Sequence, residues 1–308
     1  MDISDAQSAK SSQSVGRPSG LLSAGGILDR IVDAKANRLR VAKNEVRSQA
    51  AAIDPLPPEH DRKRGSFRSA ISTPNRTNII AEVKRRSPSK GIIREDFDPL
   101  AIAASYVAGG AAALSVLTEE DFFGGSLDFL KAIRASHPEI PLLRKDFIFD
   151  EFQLLESRDA GASAVLLITA ILGDELLRDL IAESARQGLD ALVEVHTAAE
   201  LQRAVAAGAD IIGVNNRDLI DFTVTLDTSV RLAQLAPSNA VLVTESGITS
   251  GPDVAILSGS GFSAFLVGEH FMRATDPGAE LKSLVENAEK ARAAGVALMQ
   301  PDFVLGKV

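Results

Sequence analysis

Lysine and glutamate recur at one kind of place in this chain, the ends of short apolar, β-branched runs. Glu82 and Lys84 close NIIAEV (78–83), Lys145 closes IPLLRKD (140–146) and Glu194 closes ALVEVH (191–196). Asn215 ends IIGVNN (211–216) with Arg217 just beyond, and Glu245 ends AVLVTES (240–246). A charge inside an apolar strand is costly unless paired, and so many at equivalent places are poorly explained by stability. Lysine and carboxylate together can move protons without a metal or a redox group. Each residue also has a plainer reading. Glu82 and Lys84 share a strand face at period 2 and could be a structural ion pair. Glu194 could pair with a neighbouring lysine, and Lys145 could sit at a rim with its head in solvent.

Glycine adds a second chemistry. Ser246 and Gly247 follow the AVLVTE run, and Gly268 and Glu269 follow AFLV. Backbone N–H groups in such loops, with a helix after them, cradle an anion, although these glycines could serve only their turns. Lys84, Arg85, Arg86, Lys90, Arg144, Lys145 and Arg217 form a local basic set on a chain of net charge −8, which suits an anionic ligand. The expectation is an enzyme acting on a phosphorylated small molecule, with proton transfer by lysine and glutamate and with neither metal nor cofactor.

These residues need a scaffold that brings strand ends together. Two further runs, AALSVLT (112–118) and AVLLIT (164–169), raise the count to eight, with amphipathic stretches such as DPLAIAASYVAGG and GDELLRDLIAESARQG between them. The runs are near-continuously apolar, as parallel strands covered on both faces must be. Eight strand–helix units predict a (β/α)8 TIM barrel, whose chemistry gathers at the carboxyl ends of its strands. A doubly wound open sheet is the alternative, but it usually carries a Gly-rich dinucleotide loop after its first strand, and EVKRRSPSKG is not one. Gly109, Gly161, Gly188 and Gly208 are expected to close helices in the left-handed conformation, and Thr197 with Glu200 has capping-box spacing. Residues 1–26 read as a flexible extension and 27–308 as the barrel domain. That domain begins with an additional amphipathic helix from Ile27 to about Ala52, ended by the Pro-rich DPLPPEH.

Composition narrows the partners. With no Trp and one Tyr there is little to stack bases on, and the acidic balance argues against a phosphate backbone; no nucleic-acid partner is expected. The absence of cysteine excludes disulfides and thiol nucleophiles. His60, His137, His196 and His270 show no ligand spacing and are expected to be loop or surface residues. No apolar run reaches the ~20 residues of a membrane span, and no secretory signal opens the chain. A cytoplasmic protein without membrane partners, a monomer or weak homodimer, is expected.

The motifs also resemble a known family. EVKRRSPSKG (82–91), FFGGS (122–126), LLRKDFI (142–148), LVEVH (192–196), GVNNRDL (213–219), TESGI (244–248) and FLVGEHFM (265–272) together resemble indole-3-glycerol-phosphate synthase, from about Ile27 to the end. The resemblance implies loss of water and carbon dioxide from 1-(2-carboxyphenylamino)-1-deoxyribulose 5-phosphate to give indole-3-glycerol phosphate, in tryptophan biosynthesis. It implies Lys145 as general acid in ring closure, and Glu194 with Lys84 in dehydration. Glu82 and Asn215 would orient these groups and the sugar hydroxyls. Ser246, Gly247, Gly268 and Glu269 would hold phosphate. Lys84, Ser87 and Arg217 would meet the substrate carboxylate, while Phe123, Phe147, Leu166 and Phe222 would wall the ring. Arg86 departs from a position often small in relatives, and the amino-terminal extension is longer than theirs. Phosphoribosylanthranilate isomerase, a sister barrel, is expected to use a strand-end cysteine that this chain lacks. The tryptophan synthase α-subunit lacks the EVKRRSPSKG and RKDF pattern. A catalytically silent barrel would have shed ionisable residues that are all present.

Overall fold

The computed structural model describes residues 18–49, 66–219 and 221–296. Eight parallel strands close on themselves: β1 (Asn78–Val83), β2 (Ala113–Leu117), β3 (Leu142–Lys145), β4 (Ala164–Ile168), β5 (Asp190–Val195), β6 (Ile211–Asn215), β7 (Val241–Glu245) and β8 (Ala264–Val267). Each pairs with its neighbours in sequence, and β8 returns to β1 through Asn78↔Ala264 and Ile80↔Leu266. Apart from the half-buried Lys145, every residue of these strands is buried, because side chains fill the barrel on one face and meet helices on the other. This is a TIM barrel.

Helices follow the strands as the spacing predicts: α3 (Pro99–Ala108), α4 (Leu127–Ser136), α5 (Glu151–Ala160), α6 (Asp174–Arg186), α7 (Ala198–Ala206), α8 (Asp227–Ala233), α9 (Gly251–Gly259), α10 (Glu269–Arg273) and α11 (Pro277–Ala293). Asp98, Ser126, Asp150, Thr197, Ser250 and Asp276 accept first-turn amides with their side chains, each satisfying donors that the helix cannot. Gly161, Gly188 and Gly208 have the expected positive φ, but Gly109 does not. Its φ is −73°, and the left-handed residue is Gly110, at 91°. Gly109 lacks a side chain for another reason: a Cβ there would lie 2.5 Å from the Gly278 carbonyl oxygen of α11.

Among the described residues, two helices precede the barrel. α2 (Ser66–Ile71) buries Phe67 and Ile71 and takes an amide bond from Arg68 to the Asp190 carboxylate at the start of β5. It packs on β1, β2 and β5 at their amino-terminal ends and was not evident in the sequence. The long α1 (Gly26–Gln49) lies at the opposite end. Its apolar Leu28, Ile31 and Val32 are buried, and its basic face reaches the loops. Lys35 meets Asp146 and Glu120 at 2.9 Å, Arg38 meets Asp121 at 2.5 Å, and Lys43 meets Asp150 at 2.5 Å. The Pro-rich segment lies outside the described residues. Among those residues no helix is long and apolar enough to cross a membrane.

Part of the stretch expected to be a flexible extension is held in place. Residues 18–25 dock on the loop between β4 and α6: Leu22 N donates to Ile171 O and Gly173 N to Gly20 O, both at 2.8 Å, around a bridge between Leu21 and Leu172. Composition does not reveal such backbone pairing, and residues 1–17 lie outside the described part. Each bond contributes about 1 kcal/mol. Deletion of residues 1–25 should therefore lower the melting temperature by a few degrees, at roughly 2–4 °C per kcal/mol. An unchanged calorimetric melt would show that this contact carries no stability.

Candidate active site

At the carboxyl ends of the strands lies a cavity of about 660 Å³. The residues to which the family resemblance gives a catalytic or binding role line it: Glu82, Lys84 and Ser87 after β1, Phe123 after β2, Lys145 and Phe147 at β3, and Leu166 on β4. Glu194 of β5, Asn215, Arg217 and Phe222 from β6 and its loop, Ser246 and Gly247 after β7, and Gly268 and Glu269 after β8 complete the set. Ile27, Leu28 and Ile31 of α1 also face it, so the additional helix covers the mouth. The sequence predicts that helix but not its place.

Lys145 is the electrostatic centre. Its Nζ donates to Glu194 Oε2 at 2.9 Å and to Glu245 Oε2 at 2.7 Å. Burial acts to lower its pKa, but the charges of Glu194, Glu245 and Glu82 outweigh burial and raise it. Burial would raise Glu194, yet Lys145, His196 and a hydrogen bond from Asn215 bring it down to about 2. Glu245 goes the other way, pushed up to about 7 by burial and by Glu194 despite Lys145. Lys84 Nζ donates to Glu82 at 2.5 Å, so the structural reading of that pair is met as geometry, inside the cavity.

Glu245 was seen at its strand end but not counted among the site residues. A second signal was Gly213 on the adjacent β6, whose missing side chain leaves room for the Glu245 carboxylate. Its raised pKa makes a stability prediction. Between the ordinary 4.5 and about 7 the folded state holds a proton that the unfolded state has lost. Stability then falls as pH rises through that window, and the penalty is complete above it. Glu245→Gln removes the penalty, so its melting temperature should gain on the native protein between pH 5 and 8. A pH-independent difference in calorimetry would contradict the assignment.

The basic set divides. Lys84, Lys90, Lys145 and Arg217 line the cavity, but Arg144 does not. One residue before Lys145, it points to the opposite face of β3. There it bonds Asp146 at 2.9 Å and the Gln153 carbonyl at 2.9 Å. Arg85 and Arg86 also lie outside the lining. Glu269 is held by Arg273 at 2.9 Å and Arg217 at 3.5 Å, so what it offers an anion is its backbone N–H.

Ser246 and Gly247 are both left-handed, at φ 66° and 82°. Such strain in a non-glycine residue persists only where surroundings enforce it. Asn216, unmarked in the sequence, does so: its Nδ2 donates to Thr244 Oγ1, Glu245 O and Ser246 O at 2.9–3.0 Å. Gly268 needs no positive φ, since its value is −129°. A Cβ there would lie 3.0 Å from Glu82 Cβ and Cδ, so its side chain is absent for the sake of Glu82. Gly268→Val should therefore displace Glu82 and lower kcat about tenfold or more, beyond any rise in KM. A rise in KM with kcat intact would assign the constraint to the bound anion.

His196 is a loop residue as expected, but not a surface one, with 12% of its side chain exposed. The Thr197 cap is half of a capping box. Thr197 Oγ1 accepts from Glu200 N at 3.1 Å, but Glu200 returns to the backbone N–H of His196, at 2.7 Å.

A TIM barrel with a buried lysine–carboxylate cluster facing a strand-end cavity defines a barrel enzyme. The family model for indole-3-glycerol phosphate synthase matches residues 28–284, and the chain belongs to that family: an enzyme, a carboxy-lyase of tryptophan biosynthesis. It is 46% identical over 270 residues to indole-3-glycerol phosphate synthase of Roseiflexus sp. (strain RS-1), covering 84% of this chain and 97% of that protein. It is 46% identical over 262 residues to that of Bordetella pertussis (strain Tohama I / ATCC BAA-589 / NCTC 13251), covering 84% and 98%. Among solved structures, 3-hexulose-6-phosphate synthase from Salmonella typhimurium aligns with a TM-score of 0.57 at 18% identity, over 70% of this chain and 99% of that one. That likeness concerns the fold alone.

Proposed function

We propose that the cavity converts 1-(2-carboxyphenylamino)-1-deoxyribulose 5-phosphate into indole-3-glycerol phosphate, with Lys145 as the general acid of ring closure. The observation that carries this reading is Lys145 held between two carboxylates on a cavity that has aromatic walls at one side and a glycine-bearing loop pair at the other. Ser246 Oγ and the amides of Gly247, Gly268 and Glu269 receive the phosphate. Phe123 and Phe147, whose rings lie 6.2 Å apart, flank the anthranilate ring with Leu166 and Phe222. Lys84, Ser87 and Arg217 meet the carboxylate. Lys145 then protonates the ribulose carbonyl oxygen as the ring carbon attacks. Loss of carbon dioxide restores aromaticity, and dehydration uses Glu194 as base with a lysine as acid. Glu82 steadies Lys84, and Asn215 steadies Glu194.

The test is to incubate the protein with synthetic substrate and follow indole fluorescence together with released carbon dioxide. Equal amounts of both support the reading. Anthranilate fluorescence that persists unchanged would overturn it.

A further inference from the structure

The proposed reaction sets a proton balance. A carboxylate enters and neutral carbon dioxide and water leave, so each turnover consumes one proton from solvent. Lys145, which must regain its proton, and Glu194, which must return to carboxylate, line the cavity that α1 covers. A second cavity, of about 450 Å³, adjoins the first through Leu28, Asn215 and Arg217, which line both, and is also lined by His196, Glu200 and Arg203.

We propose that His196 and Glu200 form a proton inlet from this second cavity to the Lys145–Glu194 pair, an inference that rests on the roles given above to Lys145 and Glu194. His196 follows the end of β5, two residues beyond Glu194. His196 Nε2 lies 3.5 Å from Glu194 Oε1, buried and without a hydrogen-bond partner among the described residues. On the other side of the ring, Nδ1 lies 3.2 Å from Glu200 Oε2. Glu194 Oε2 accepts from Lys145 at 2.9 Å, which completes a chain from second cavity to acid.

The groups facing the imidazole are Glu194 of β5, Glu200 of α7 and Glu245 of β7. Burial lowers the pKa of the ring, but the Glu200 hydrogen bond and these three charges raise it overall, which favours imidazolium. After Lys145 has protonated substrate it is a neutral amine. The imidazolium Nε2–H bond breaks as an O–H bond forms on Glu194. The carboxyl turns, its O–H bond breaks, and an N–H bond forms on Lys145. The imidazole, now neutral, turns and takes a proton from solvent on the Glu200 side.

The test is a stopped-flow comparison of the native enzyme with His196→Gln and Glu200→Gln. Because Lys145 starts protonated, the first turnover of His196→Gln should match the native rate. Later turnovers should slow about tenfold or more, with KM falling alongside so that kcat/KM is little changed, and added imidazole should restore them. Glu200→Gln should show the same burst with a smaller fall. A merely positional His196 would slow the first turnover too and be insensitive to imidazole; that result, or a native steady state in both variants, overturns the inlet. Glu194→Gln separates the layers. Inactivity with or without imidazole supports the underlying mechanism, whereas a native rate overturns that mechanism and the inlet together.

Discussion

Lys145→Ala lowers kcat by two or more orders of magnitude while KM for substrate stays within a few-fold. General acid catalysis is worth about 10²–10⁴-fold, and the substitution removes the ammonium whose charge the whole cluster is arranged around. The fold should survive. Without Lys145, Glu194 and Glu245 are two buried carboxylates facing one another, and such a pair takes up a proton instead of remaining doubly charged. The phosphate loops and Phe123 belong to other strands, and truncating Lys145 removes nothing from the Phe147 side chain, so binding is retained. Steady-state kinetics with the same fluorescence readout checks this. A kcat within a few-fold of the native value would remove Lys145 from the reaction.

Asp146→Ala produces the largest loss of stability. Its side chain is fully buried between Lys35 at 2.9 Å and Arg144 at 2.9 Å, and it accepts a hydrogen bond from Thr118 at 2.7 Å. Burial alone would raise the pKa of this carboxyl, but the two cations outweigh it and the value is lowered. Removing the carboxylate leaves Lys35 and Arg144 buried without their shared counter-charge. Breaking such a network costs about 3–5 kcal/mol, or roughly 10 °C in a chain of this size. Lys35→Met in the same background should recover part of the loss, because it withdraws one of the orphaned charges. Urea unfolding of the single and double variants measures both. Equal stability of Asp146→Ala and the native protein would mean that α1 is not anchored by this contact.

The barrel and most of the cavity were legible because both follow from period. Apolar runs separated by capped helices dictate strand–helix alternation, and closure turns eight strand ends into one rim. Glu82, Lys84, Lys145, Glu194 and Asn215 therefore met once the runs were placed. What was not legible depends on facing and on backbone pairing. Arg144 beside Lys145 read as part of the basic lining, but alternation sends it to the helix side, where Asp146 holds it. Leu21 and Leu22 sit in a stretch without periodicity, and backbone pairing fixes them to the loop between β4 and α6 while Leu21 packs against the core. Asn216 acts through Ser246, a neighbour that only the folded chain brings within reach. Gly268 read as space for an anion, whereas the structure gives that space to Glu82.

The central claim is that one molecule spans this cavity with its phosphate at the β7 and β8 loops, its ring against Phe123 and Phe147, and Lys145 between them. A crystal structure with indole-3-glycerol phosphate bound tests that directly. Phosphate oxygens are expected at about 2.7–3.2 Å from Ser246 Oγ and from the amides of Gly247 and Gly268. The indole should pack on the two phenylalanines, with Lys145 Nζ within hydrogen-bond reach of the glycerol portion. Phosphate bound elsewhere, with these loops empty and Lys145 out of reach of the ligand, would contradict it.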